Sequence, residues 1–89
     1  MEIKLEPDRS HCIRTMARRE YDRLLREILS SEEPGATLCE KIDTLRMFLE
    51  STDFPKLRSQ YEPYFAEGLR VRFILIWAGD RTEYRIEVW

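Results

Sequence analysis

The sequence predicts a two-layer α+β domain: an N-terminal strand, three helices (two long, one short), and a C-terminal β-hairpin that makes a small antiparallel or mixed sheet. Three observations predict it. "MEIKLE" alternates apolar and charged residues with the period of a half-buried strand. The stretches from His11 to Leu29 and from Thr37 to Leu49 repeat apolar residues at helical spacing. "LRVRFILIWAGDRTEYRIEVW" returns to period two on both sides of Gly79 and Asp80. A chain of 89 residues, 43% hydrophobic and 36% charged, has enough apolar mass for one core and no second, so residues 1–89 are read as a single domain. A domain of this size buries only roughly 60 to 65% of the surface its unfolded chain exposes, which makes its stability modest and favours help from a partner or a second copy.

In the first strand Ile3 and Leu5 point to one side and Glu2, Lys4 and Glu6 to the other, until Pro7 and Asp8 end the run. Asp8 or Ser10 is placed to cap the helix that follows. Along that helix Ile13, Ala17, Tyr21, Leu24 and Ile28 fall on one stripe, with Leu25 at its margin. "SSEEPG" reads as a loop, and Thr37 with Glu40 has the spacing of a reciprocal N-terminal capping box. Leu38, Ile42, Leu45 and Leu49 then mark a second amphipathic helix, expected to fold back on the first as a helical hairpin.

The third helix is expected from "TDFPKL", with Asp53 or Thr52 as its cap and Pro55 in the first turn, where a missing N–H costs nothing. Phe54, Leu57 and Tyr61 share a face. Pro63 disfavours helical geometry at Glu62, so a break is expected there, followed by one more turn ending at Gly68.

The C-terminal segment carries its own register. With Gly79 and Asp80 as the two loop residues, Val71 faces Val88, Phe73 faces Ile86, Leu75 faces Tyr84 and Arg72 faces Glu87. A slip of one residue would lose both the apolar and the charged matches. Val71, Phe73, Leu75, Tyr84, Ile86 and Val88 are expected to floor the helices. The N-terminal strand is expected to join the hairpin, since an isolated hairpin is marginal in water, but the sequence does not fix the edge it joins.

Composition narrows the function. No apolar run approaches the ~18 residues of a membrane span, and the N-terminus lacks the basic-then-apolar order of a signal peptide, so a cytoplasmic protein with no membrane partner is expected. Cys12 and Cys39 are too few for a disulfide framework and are expected as thiols in a reducing compartment. A net charge of −2 argues against a generally nucleic-acid-coating chain. His11 is the single histidine, and neither a C-x-x-C pair nor a phosphate-loop, nucleophile-elbow or zinc-protease motif accompanies it. The expectation is therefore no catalytic residue, no cofactor and no metal.

Three places can carry binding. On the second face of the hairpin, Arg72, Ile74, Ile76, Arg85 and Trp89 combine aliphatic, aromatic and guanidinium groups of the kind found at interfaces, and are read as a surface for a protein partner or for a homodimer. The plainer alternative sets the aliphatics under long arginine stems or under the "YEPYF" segment. Arg18, Arg19, Arg23 and Arg26 line the outer side of the first helix, where guanidinium groups could hold phosphates. Asp22 lies four residues from Arg18 and Arg26, and Glu27 four from Arg23, spacings that favour ion pairs within the helix. "YEPYF" sets Tyr61, Tyr64 and Phe65 together as an aromatic rim.

The order of elements, an early strand, helices, then antiparallel strands, resembles that of RelE-like toxins. The resemblance is topological, without a shared motif, and carries over no residues. The resulting reading is a small protein-interaction domain; the second is a nucleic-acid-associated or toxin–antitoxin-like protein using the arginine face.

Overall fold

A computed structural model describes residues 2–89, leaving Met1 outside the described residues. In chain order it contains β1 (Glu2–Leu5), α1 (Ile13–Ser30), α2 (Ala36–Ser51), α3 (Phe54–Ala66), β2 (Val71–Trp77) and β3 (Thr82–Val88). This is the α+β architecture expected from the sequence. The strands form one antiparallel sheet of order β1-β2-β3, with Ile3 opposite Leu75 and Leu5 opposite Phe73 on one side of β2. On its other side the hairpin has the register that the sequence predicts, Val71 to Val88, Arg72 to Glu87, Phe73 to Ile86 and Leu75 to Tyr84. Gly79 turns with φ of 82°, a conformation open to glycine, and the Ala78 N–H donates to the Arg81 carbonyl at 2.9 Å to close the loop.

Burial follows the helical stripes. Ile13, Ala17 and Leu24 of α1, Ile42, Leu45 and Phe48 of α2, and Leu57 and Tyr61 of α3 pack on Ile3, Leu5, Val71, Phe73 and Leu75 of the sheet. A series of rings, edge-on except for one tilted pair, links the core to β3: Phe65 to Tyr61 at 5.7 Å between centroids, Tyr61 to Phe73 at 5.6 Å, Phe73 to Tyr84 at 5.6 Å and tilted by 47°, Tyr84 to Phe48 at 6.0 Å and Phe48 to Phe54 at 5.4 Å. Thr44, fully buried, bonds its hydroxyl to the Glu40 carbonyl at 2.7 Å and accepts the Thr82 hydroxyl on its own carbonyl at 2.9 Å, tying the start of β3 to α2. The radius of gyration, 13.7 Å, exceeds the value of about 12 Å for a compact domain of this length. The excess reflects the α1–α2 hairpin, whose tip carries Leu29 at 84% exposure and an exposed loop through Thr37.

The helix ends correct three expectations. Neither Asp8 nor Ser10 caps α1. The Asp8 carboxylate instead accepts from the N–H groups of Ser10 (2.8 Å) and His11 (2.7 Å), and those bonds hold its carboxyl below the ordinary range, Ser10 contributing most. Cys12 occupies the N-cap position without a side-chain bond to the backbone. The first N–H of α1, that of Ile13, donates at 3.0 Å to the Tyr61 hydroxyl, which arrives from α3. Thr37 and Glu40 form no capping box, because α2 begins at Ala36 with Gly35 as its N-cap and puts Thr37 inside the first turn.

α3 passes through Pro63 without the break expected at Glu62. Only a continuous helix places Phe65 one turn after Tyr61, where the two rings meet, and Pro63 faces solvent, where water can satisfy the carbonyl it leaves unpaired. The start and end of α3 match expectation. Asp53 accepts from the Lys56 N–H at 3.2 Å. At the other end Gly68, with φ of 78°, donates to the Phe65 carbonyl at 3.0 Å while Leu69 donates to that of Tyr64 at 2.9 Å, a Schellman motif.

Tyr61→Phe leaves the buried Ile13 N–H without a partner and is expected to cost about 1–3 kcal/mol, read as a lower urea midpoint with an unchanged m-value. The same hydroxyl gives a pH test. Burial raises the Tyr61 pKa above its ordinary value. Because the unfolded chain then ionises first, this contribution is complete below about pH 10 and is lost as pH rises. The stability gap between wild type and Tyr61→Phe is therefore expected to narrow above that pH; a constant gap would contradict the assignment. Gly68→Ala forces a side chain into left-handed backbone and is expected to destabilise by roughly 1–2 kcal/mol in the same measurement.

Candidate functional site

Period two places Arg72, Ile74, Ile76, Arg85 and Trp89 on the sheet face away from the helices, together with Glu2, Lys4, Glu83 and Glu87. They differ widely in access. Ile74 is 2% exposed and lies outside the main core cluster; in register it is flanked by Lys4 and Arg85, whose long stems can cover an aliphatic neighbour. Ile76 is half-buried. Arg72 is fully engaged: Nε and Nη2 each lie 2.9 Å from Glu6 Oε1, Nη1 lies 3.6 Å from Glu87, and the guanidinium sits 4.7 Å above the Trp89 ring. Arg85 reaches Glu2 only at 4.0 Å and remains exposed, as does Trp89 at 45%. The far face is thus a lattice of charged pairs over a buried isoleucine, open at Arg85 and Trp89.

The opposite face of β3 departs from expectation. Val71, Phe73 and Leu75 floor the helices as expected, but Tyr84 is 42% and Val88 37% exposed, and Ile86 is half-buried. The physical reason is strand order. With β1 and β3 on opposite sides of β2, the helical layer centres on the middle strand and β3 overhangs it. Sequence alternation revealed the face of each side chain but not the width of the layer above it.

Among the described residues β3 also has a free backbone edge. Arg70 and Trp89 exchange both hydrogen bonds, at 2.7 and 3.1 Å, and Ala78 pairs with Arg81 at the turn. In an antiparallel ladder such pairs alternate with non-bonded ones, so Glu83, Arg85 and Glu87 point their amides to β2 while Tyr84, Ile86 and Val88 point theirs outward.

On α1, Arg18 lies 3.3 Å from Asp22 and 5.8 Å above the Tyr21 ring, and Arg23 is paired with Glu20 and, at 2.8 Å, with Glu27. Asp22 thus takes Arg18 and not Arg26, and neither Arg19 nor Arg26 is in an ion pair among the described residues. The three aromatic residues of "YEPYF" do not form one rim: Tyr61 is in the core, Phe65 is half-buried and Tyr64 is exposed.

Tyr61 and Phe65 do border a surface hollow of about 430 Å³ with Arg9, Cys12, Thr15 and Arg58, a grouping the sequence reading missed. Its one signal in sequence was a cysteine immediately before the helical repeat. Cys12 Sγ lies 3.3 Å from the Thr15 hydroxyl, which lowers the thiol pKa; partial burial opposes the shift and the Arg58 charge assists it. Both Cys12 and Cys39 are free thiols. Among the described residues no group of His, Cys, Asp or Glu is placed to hold a metal, and no helix is long and apolar enough to cross a membrane.

A protein family model matches residues 1–76, a span that takes in β1, all three helices and β2 up to Ile76. The chain belongs to that family. An uncharacterized protein of Archaeoglobus fulgidus is similar, 40% identical over 50 residues, which cover 54% of this chain and 59% of that relative. No solved structure matches. β3 and its turn lie beyond the span matched by the family model.

The lowered Cys12 pKa has a direct test. In a Cys39→Ser background the midpoint of the alkylation rate against pH is expected below the ordinary thiol value, and Thr15→Ala is expected to move it upward. An unchanged midpoint in Thr15→Ala would remove the hydroxyl as the cause.

Proposed function

We propose that this is a cytoplasmic protein-interaction domain that acts by binding and not by catalysis, and that it binds through the C-terminal edge of its sheet. The observation that carries the reading is the distribution of exposed large apolar side chains. Three of the exposed large apolar residues fall on this one strand end, Tyr84 and Val88 on its helix-side face and Trp89 on its far face, whereas Leu29 and Tyr64 are isolated elsewhere. Aromatic residues beside arginine, here Trp89, Tyr84 and Arg85, are the composition of interface anchors, and an unpaired strand adds backbone donors and acceptors. Of the residues singled out on the far face, Arg85 and Trp89 join this edge, and Arg72 holds Trp89 in place. Phosphate or nucleic-acid binding by Arg18, Arg19, Arg23 and Arg26 draws less support, since Arg18 and Arg23 are already matched by acidic neighbours.

A photocrosslinking phenylalanine analogue placed at Val88, in cells expressing the protein, is expected to give a covalent protein adduct whose second chain is identified by mass spectrometry. The same analogue at Leu29, the most exposed large apolar residue among the described residues, is the control. Adducts at Leu29 and none at Val88 would contradict the reading.

A further inference from the structure

We propose that the occupant of this edge is a second copy of the chain, with two β3 strands paired antiparallel across a two-fold axis perpendicular to the sheet to give a continuous six-stranded sheet; the proposal rests on the interaction reading above. Of the two sheet edges, β1 has four residues with Glu2 and Lys4 on its open face, a short and charged edge that resists pairing. β3 has seven residues, and its outward amides and carbonyls belong to Tyr84, Ile86 and Val88, the same residues that form the partly exposed apolar row.

A two-fold axis of this kind keeps both helical layers on one side and requires every pairing to occur twice. Centred on Ile86, it sets Ile86 against Ile86 of the other copy, Tyr84 against Val88, and Arg85 against Glu87. The apolar residues all find apolar partners, and each Arg85 meets a carboxylate at a non-hydrogen-bonded position, where facing side chains are closest. Centred on Arg85, the axis would set Arg85 against Arg85 and Glu83 against Glu87, like charges throughout. Centred on Glu87, it would oppose the two Glu87 carboxylates. Centred on Tyr84, it satisfies Arg85 with Glu83 but sets Val88 against Asp80. The strand is therefore self-complementary in both charge and apolar content in one register.

That register makes a charge-swap test decisive. Arg85→Glu sets the new carboxylate against Glu87 of the other copy, twice, and Glu87→Arg sets the new guanidinium against Arg85, again twice. Each variant alone is therefore expected to dimerise about tenfold more weakly than wild type. Mixed in equal amounts, the two variants bring a carboxylate against a guanidinium at both positions, and association near the wild-type level is expected to return. Sedimentation equilibrium across a wide concentration range reads all three, with the monomer at 10.8 kDa and the dimer at twice that mass. Recovery in the mixture also shows that both variants are folded.

A wild type that stays monomeric throughout, a dimer indifferent to either substitution, or a mixture that fails to recover would each overturn the proposal. If the wild type is monomeric while the Val88 adduct contains a different protein, the self-pairing falls and the interaction reading stands. If neither dimer nor adduct forms, both fall.

Discussion

The position of β2 is the constraint on which the rest of the structure depends. It is the one strand with two neighbours, and its helix-side residues Val71, Phe73 and Leu75 are almost completely buried. Ile3 and Leu5 extend that floor on one side, and the helices concentrate their apolar stripes above it. The helical layer is centred on β2 and covers β3 in part, with Phe48 beside Tyr84 and Thr44 bonded to Thr82. The cost falls on β3, which is fully paired to β2 along one side yet leaves Tyr84 and Val88 partly in water. A free backbone edge and an apolar row in the same strand combine two kinds of unsatisfied surface, and small domains with modest cores commonly resolve such surfaces by association.

Tyr61 performs a second integrating task. Its ring touches Phe65 and Phe73, joining α3 to β2, and its hydroxyl takes the first N–H of α1, fixing where that helix starts. The turn before α1 is held separately by Asp8, and Arg9 reaches across to the Phe65 carbonyl at 2.7 Å. The entrance of α1 and the middle of α3 therefore form one structural unit, and the hollow containing Cys12 lies at their junction.

Much of this was legible in the sequence, for reasons that differ by element. The hairpin register could be read because apolar matches and the Arg72–Glu87 match coincide in one alignment only. The stripes of α1 and α2 could be read because period alone determines a face, although Phe48 and Thr44 lay outside the expected stripe of α2 and proved fully buried. Caps were less legible. Asp8, Ser10 and Thr37 have the right chemistry close by in sequence, but α1 is capped by a residue from α3, and α2 begins ahead of Thr37. The continuity of α3 through Pro63 was likewise hidden, since it follows from where Phe65 must pack. The candidate site was legible in part: Arg85 and Trp89 emerged from composition, while Tyr84 and Val88 were assigned to the floor, because the strand order that exposes them is a property of the whole sheet.

Amide hydrogen exchange resolved along β3 in dilute protein tests the edge position of this strand most directly. Tyr84, Ile86 and Val88 are expected to exchange quickly, and Glu83, Arg85 and Glu87 slowly, because only the second set donates into β2. As the protein is concentrated, the first set is expected to gain protection. Slow exchange at all six positions in dilute protein, or fast exchange at Glu83, Arg85 and Glu87, would contradict the placement of β3 as an open edge paired to β2.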